Sequence, residues 1–164
     1  MLLFHSIKMS LLKKTVCLLC LIIFAFSNAG SAQTIVNVAN GWAKNSVNTV
    51  VFRKNAITSF KDVQFISFYD DSGYVVLGKR AINSERWVIK KTQFKGNAAD
   101  AHCSISIALD GNGYLHMSWG HHNTKLRYAT STQPFSLDLS EEKEMTGIHE
   151  AKVSYPEFYR MPNG

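Results

Sequence analysis

From Gln33 onward, apolar and polar residues alternate in short runs broken by Gly, Asp and Asn, and no stretch keeps a helical period. Val63-Gln64-Phe65-Ile66-Ser67-Phe68-Tyr69 is rich in β-branched and aromatic residues; Asp70-Asp71-Ser72-Gly73 interrupts it, and Tyr74-Val75-Val76-Leu77-Gly78 resumes. A second unit has the same form. Cys103-Ser104-Ile105-Ser106-Ile107-Ala108-Leu109 runs into Asp110-Gly111-Asn112-Gly113, and Tyr114-Leu115-His116-Met117-Ser118-Trp119 returns. Asp and Gly between two apolar runs mark a hairpin, because Asp bonds its own backbone and Gly accepts positive φ. The pattern predicts an all-β chain.

Gly73-Tyr74 of the first hairpin matches Gly113-Tyr114 of the second, 40 residues later. A third strand follows each: Arg86–Lys90 in the first unit and Leu126–Thr130 in the second. A third unit opens at Val153-Ser154-Tyr155 and reaches a turn at Pro162-Asn163-Gly164. Repeats of about 40–50 residues with several strands each are the mark of β-propeller blades. A lone β-sandwich would not be expected to repeat the strand–Gly-Tyr–strand order. The expected fold is a β-propeller, with two blades and the start of a third spanning residues 33–164. Propeller rings close with about 4–8 blades. The expectation is therefore an N-terminal part of a longer propeller.

Residues 1–32 have the form of a secretory signal peptide. Lys13-Lys14 precede an apolar run from Thr15 to Phe26, and Ser27-Asn28-Ala29-Gly30-Ser31-Ala32 supply small residues for cleavage. The run is shorter than the roughly 20 residues a membrane span needs. The expectation is export to the periplasm or medium, with no stable membrane insertion. Composition fits a globular domain: of 164 residues, 46% are hydrophobic and only 18% charged. The formal charge of +6 falls to +3 once Lys8, Lys13 and Lys14 leave with the leader, too mild a balance to mark a nucleic-acid partner. Cys17 and Cys20 leave too, so Cys103 has no disulfide partner and reads as a small apolar core residue.

Candidate chemistry lies in the second hairpin. Five of the six histidines follow Gln33, and four fall within His102–His122. Pairing across the Asp110–Gly113 turn makes opposed residue numbers sum to 223, or to 224 with a one-residue bulge. His102 then faces His121 or His122 at the open end of the hairpin, and opposed Cα atoms there stand about 4.5–5.5 Å apart. Leu115, Met117 and Trp119 share one face and Tyr114, His116 and Ser118 the other. In the bulged register His116 opposes Ala108 and Ser106 opposes Ser118, which suits packing for His116 more than a site.

His102 and His122 are the candidate catalytic pair, with His121, Asn123, Arg127 and Tyr128 as candidate substrate-binding residues near the same end. Imidazoles beside an Arg can bind a carboxylate and move a proton near neutral pH. Asp100, His102 and His122 also make three potential zinc ligands. Their spacing matches no zinc signature, so no metal is assigned and no cofactor is expected. No carboxylate pair stands out for glycoside hydrolysis, since Asp70 and Asp71 sit in a turn and Glu141, Glu142 and Glu144 in a charge run.

Asp100-Ala101-His102, Ile105 through Trp119, His121-His122-Asn123 and Leu126-Arg127-Tyr128-Ala129 together resemble the BNR-repeat family of exported bacterial propellers. That family includes the seven-bladed ulvan lyases. The resemblance runs to Tyr155-Pro156-Glu157-Phe158 and is densest over Asp100–Ser131. It implies that His102 and His122 neutralise a substrate carboxylate or transfer a proton, in β-elimination on a uronic-acid polysaccharide. It also implies a further catalytic Tyr and Arg on later blades. The sialidase-type box Ser-x-Asp-x-Gly-x-Thr-Trp is absent; Asp110-Gly111-Asn112-Gly113 is only turn-like. The expected partner is an anionic polysaccharide. A glycan-binding propeller without chemistry and a glycoside hydrolase are the alternatives.

Overall fold

The computed structural model describes residues 34–49 and 55–162; the expected signal peptide, with Cys17 and Cys20, lies outside the described residues. All the strands belong to one compact unit that begins at Asn37. Among the described residues there is no helix long and apolar enough to cross a membrane. The first sheet is antiparallel, in the order β1 (Ile57–Phe60), β2 (Val63–Tyr69), β3 (Tyr74–Ala81) and β4 (Val88–Lys95). The second joins β5 (Ile105–Leu109), β6 (Leu115–Trp119) and β8 (Tyr128–Thr130). A small third sheet pairs β7 (His122–Thr124) with β9 (Val153–Ser154).

Alternation decides what each strand buries. Phe65, Ser67 and Tyr69 of β2 point inward, as do Leu115, Met117 and Trp119 of β6. They meet in one core that Val75, Leu77, Ile105, Ile107 and Phe94 complete. Phe94 and Trp119 pack with ring centroids 4.4 Å apart. Burying a side chain of this size stabilises by about 1.5–3 kcal/mol, so each of these rings holds the sheets together. Cys103 is buried and free, as expected of a core residue; burial pushes its thiol upward.

Both hairpin turns use one device. Oδ1 of Asp70 accepts the N–H groups of Ser72 at 3.0 Å and Tyr74 at 2.8 Å. Oδ1 of Asp110 accepts those of Asn112 at 2.9 Å and Tyr114 at 2.8 Å. Gly73 and Gly113 close the turns at φ 75° and 86°, where a side chain would be strained. The two hairpins are nevertheless not equivalent in the fold. β2–β3 are the second and third strands of their sheet, whereas β5–β6 are the first and second. The 40-residue match is a match of turn chemistry; the strand that shifts the frame, β1, was not expected. The third strands also differ in extent, beginning at Val88 and Tyr128 and not at Arg86 and Leu126.

This offset puts the two turns at opposite ends. The N–H of Gly96 donates to Gly73 O at 3.0 Å, and Trp119 Nε1 donates to Lys95 O at 3.2 Å. The Asp70 turn therefore neighbours the open end of the β5–β6 hairpin. The Asp110 turn lies by the β1–β2 connection: Phe135 donates its N–H to Gly113 O and stacks on Phe60 at 5.9 Å.

Gly96 sits where the sheets come closest at that end. A Cβ there would overlap the phenol of Tyr69, which is fully buried and donates to Cys103 O at 2.7 Å. Gly96→Ala is expected to destabilise the protein by about 1–3 kcal/mol through overpacking, read as a lowered Tm in a thermal melt.

Candidate active site

The register that places the site is the bulged one: Ile105 opposes Trp119, Ser106 opposes Ser118 and Ala108 opposes His116. Carried past the strand ends, it sets His102 against His122. Their ring centroids are 4.2 Å apart and the ring planes 32°. Both side chains are about half exposed, at 47% and 45%.

Asp100 ties the pair together. Its Oδ1 accepts the backbone N–H of His102 at 2.9 Å and lies 2.6 Å from that residue's Nδ1. Its Oδ2 lies 2.8 Å from Nδ1 of His122. An ionised carboxylate only accepts, so both Nδ1 atoms carry hydrogen and the reactive nitrogen of each neutral ring is Nε2. These bonds, led by the His102 backbone N–H, hold the Asp100 carboxyl well below the usual carboxylate range. In the sequence Asp100 stands out only as a potential metal ligand; its position two residues before His102, where it closes a local turn, is the signal for this second role. Donor atoms of the three residues lie within 4.8 Å of one another, which also meets the donor count of a divalent-cation site.

Tyr155 is the other residue the sequence did not place here. Its ring centroid lies 5.8 Å from that of His102 and 6.3 Å from that of His122. Val153-Ser154, expected to open a third unit, pairs with β7, with His122 opposite Ser154 and Thr124 opposite Val153. Asn123 turns the chain between them at φ 57°, and its N–H donates to Ser154 Oγ at 2.8 Å. Asn123 is exposed beside the pair, as a substrate-contacting residue must be.

Three expected substrate contacts lie elsewhere. His121 is fully buried, and its Nε2 accepts the backbone N–H of Arg127 at 2.6 Å. Adjacent residues in an extended segment point to opposite sides, so with His122 outward His121 faces the core and has no surface for a substrate. Arg127 is committed within the protein. Its Nη1 donates to Lys95 O, its Nε reaches Glu142 at 3.4 Å, and its guanidinium lies 4.6 Å from the Trp119 ring centroid. Tyr128 is buried on the opposite face of β8, its hydroxyl 2.6 Å from Nδ1 of His116. Nε2 of His116 in turn faces Asp110 Oδ2 at 3.5 Å. His116 is thus held between Tyr128 and Asp110, away from the His102–His122 pair.

Burial, and next the charge of Arg127, hold His121 down at about 4. It folds neutral, whereas its unfolded form takes a proton near its ordinary value of about 6.5. Its contribution to stability is therefore complete above about pH 6.5 and is lost as pH falls toward 4. Urea melts at pH 7.0 and about pH 5 should show this loss, and His121→Gln, which keeps an acceptor for Arg127, should remove that part of the pH dependence.

A family model described as "BNR repeat-containing family member" matches residues 63–164, more than half of the chain. The chain belongs to the BNR repeat-containing family. No curated protein matches it. Among solved structures, polysaccharide lyase Uly1 superimposes with a TM-score of 0.60 at 14% identity, over 82% of this chain and 38% of that one. A PL25 ulvan lyase gives 0.53 at 16% identity over 77% of this chain and 32% of that one. A PL25 ulvan lyase bound to -[GlcA(1-4)Rha3S]- gives 0.55 at 14% identity, over 79% and 32%. This BNR-repeat chain thus spans about a third of the length of those structures, and the likeness is one of fold. Its two larger sheets are β-propeller blades, the fold expected from the sequence.

Proposed function

We propose that this BNR-repeat protein is exported and serves in the β-elimination of a uronic-acid-containing polysaccharide, with His102 and His122 as the reacting pair. The observation that carries this reading is the single Asp100 carboxylate holding Nδ1 of both rings. One carboxylate balances one imidazolium charge. One ring can then donate from Nε2 to the substrate carboxylate, while the other, neutral, takes the proton α to it. Donation to the carboxylate lowers the cost of the carbanion-like transition state. The C–H electron pair forms the new double bond, the β C–O bond breaks, and the departing sugar oxygen takes a proton from water, the abstracted proton returning from the imidazole to solvent. Tyr155 forms an aromatic wall beside the rings, suited to the face of a sugar. Likeness of fold to lyases, one of them bound to a uronic-acid oligosaccharide, supports the substrate class.

The test is to incubate the protein with a polymer of glucuronate and rhamnose-3-sulfate and follow ultraviolet absorbance. Elimination creates an unsaturated uronate that absorbs. New reducing ends without absorbance would mean hydrolysis, and binding without either would mean a recognition module.

A further inference from the structure

We propose that Lys91, Lys95 and Tyr74 form a separate subsite for an anionic substituent, foremost a sulfate, of the polysaccharide chain. The proposal rests on the polysaccharide reading above, but its chemistry is independent of the histidines. Lys91 Nζ and Lys95 Nζ each lie 4.3 Å from the centroid of the Tyr74 ring. Two ammonium groups around one ring repel one another at a distance where salt screens only part of the repulsion. Lys91 is compensated by Asp70 Oδ2 at 2.7 Å. Among the described residues, Lys95 makes no ion pair. An oxyanion that bridges the two ammonium groups would relieve the repulsion, while the Tyr74 ring holds both side chains in place.

Its position favours a shared ligand with the histidine site. The Asp70–Gly73 turn is bonded to Gly96, and a Cβ on Gly120 would stand 3.5 Å from Gly96 Cα, beside the loop that carries His122. Lys95 precedes Asp100 by five residues, a span of at most about 18 Å along an extended chain. The carbonyl of Lys95 is held by Trp119 at 3.2 Å and by Arg127, so the end of β4 is anchored. An anionic polymer with its uronate at the histidine pair can therefore reach the lysines within a few sugar residues.

Binding, measured by calorimetry, tests this without requiring turnover. The probes are the sulfated glucuronate–rhamnose polymer, the same polymer desulfated, and the same polymer with its carboxyl groups reduced. Lys91→Ala with Lys95→Ala should weaken binding of the sulfated polymer by about three- to tenfold at low salt, and less at high salt. Lys95→Arg should bind like the parent. Asp70→Asn keeps the Oδ1 acceptor that builds the turn but removes the charge that competes for Lys91, and should bind more tightly. The desulfated polymer should lose most of its sensitivity to the lysine changes. If the carboxyl-reduced polymer loses it instead, the substituent is the uronate and the sulfate assignment falls. Parent-like binding by the double variant overturns the subsite and leaves the lysines as guards of the β4 edge. A lysine effect in a protein that shows no elimination would keep the subsite and discard the lyase reading.

Discussion

Asp100→Asn is expected to cut kcat/KM for elimination by about 10²–10⁴-fold, with little effect on the melting temperature. Two Nδ1–H donors now share one carboxylate, at 2.6 Å and 2.8 Å. An asparagine offers one acceptor and one donor in the same place. One ring must then rotate or switch tautomer, which moves hydrogen onto the Nε2 that should act as base. The protein fold has little at stake, because Asp100 sits at the open end of the hairpin beside two exposed rings. The carboxyl lies well below the usual range, so it stays ionised through the working pH. Its protonation therefore cannot supply the acid limb of a pH–rate profile at moderate pH. A near-parental kcat/KM in Asp100→Asn would show that the tie between the rings is structural only.

His102→Ala and His122→Ala should each lower kcat/KM by about 10²–10⁴-fold, and the double variant by much less than the product of the two losses. The reason is geometric. With rings 4.2 Å apart on one carboxylate, removing either ring leaves the other without the partner whose charge state complements its own. His116→Ala is the contrast. It breaks the bond to Tyr128 and the approach to Asp110, and should lower the melting temperature more than it lowers turnover. Parental turnover in either His102→Ala or His122→Ala would remove that residue from the mechanism.

That His102 faces His121 or His122 was legible in the sequence, because a hairpin register is a short-range property; the one-residue bulge that selects His122 was not. Once the Asp110 turn closes, each rung is set by the last, and alternation assigns His116 and Ser118 to one face and Trp119 to the other. The burial of Cys103 and the succession of short antiparallel strands were legible as well. The small strand β1 was not: Ile57-Thr58-Ser59-Phe60 is too short to announce itself, and its pairing with β2 makes it a strand.

What only the tertiary structure decided concerns residues whose roles depend on distant neighbours. Sequence placed His121 and His122 together at the site; packing under Arg127 buries the first and leaves the second for chemistry. Arg127 and Tyr128 looked like substrate contacts until Lys95, Glu142 and His116 claimed them. Tyr155 joins the site because β9 pairs with β7, some thirty positions earlier in the chain. Backbone hydrogen bonding carries information rung by rung along a hairpin. Which polar group meets which across the core depends on how the sheets pack, and no local pattern encodes that.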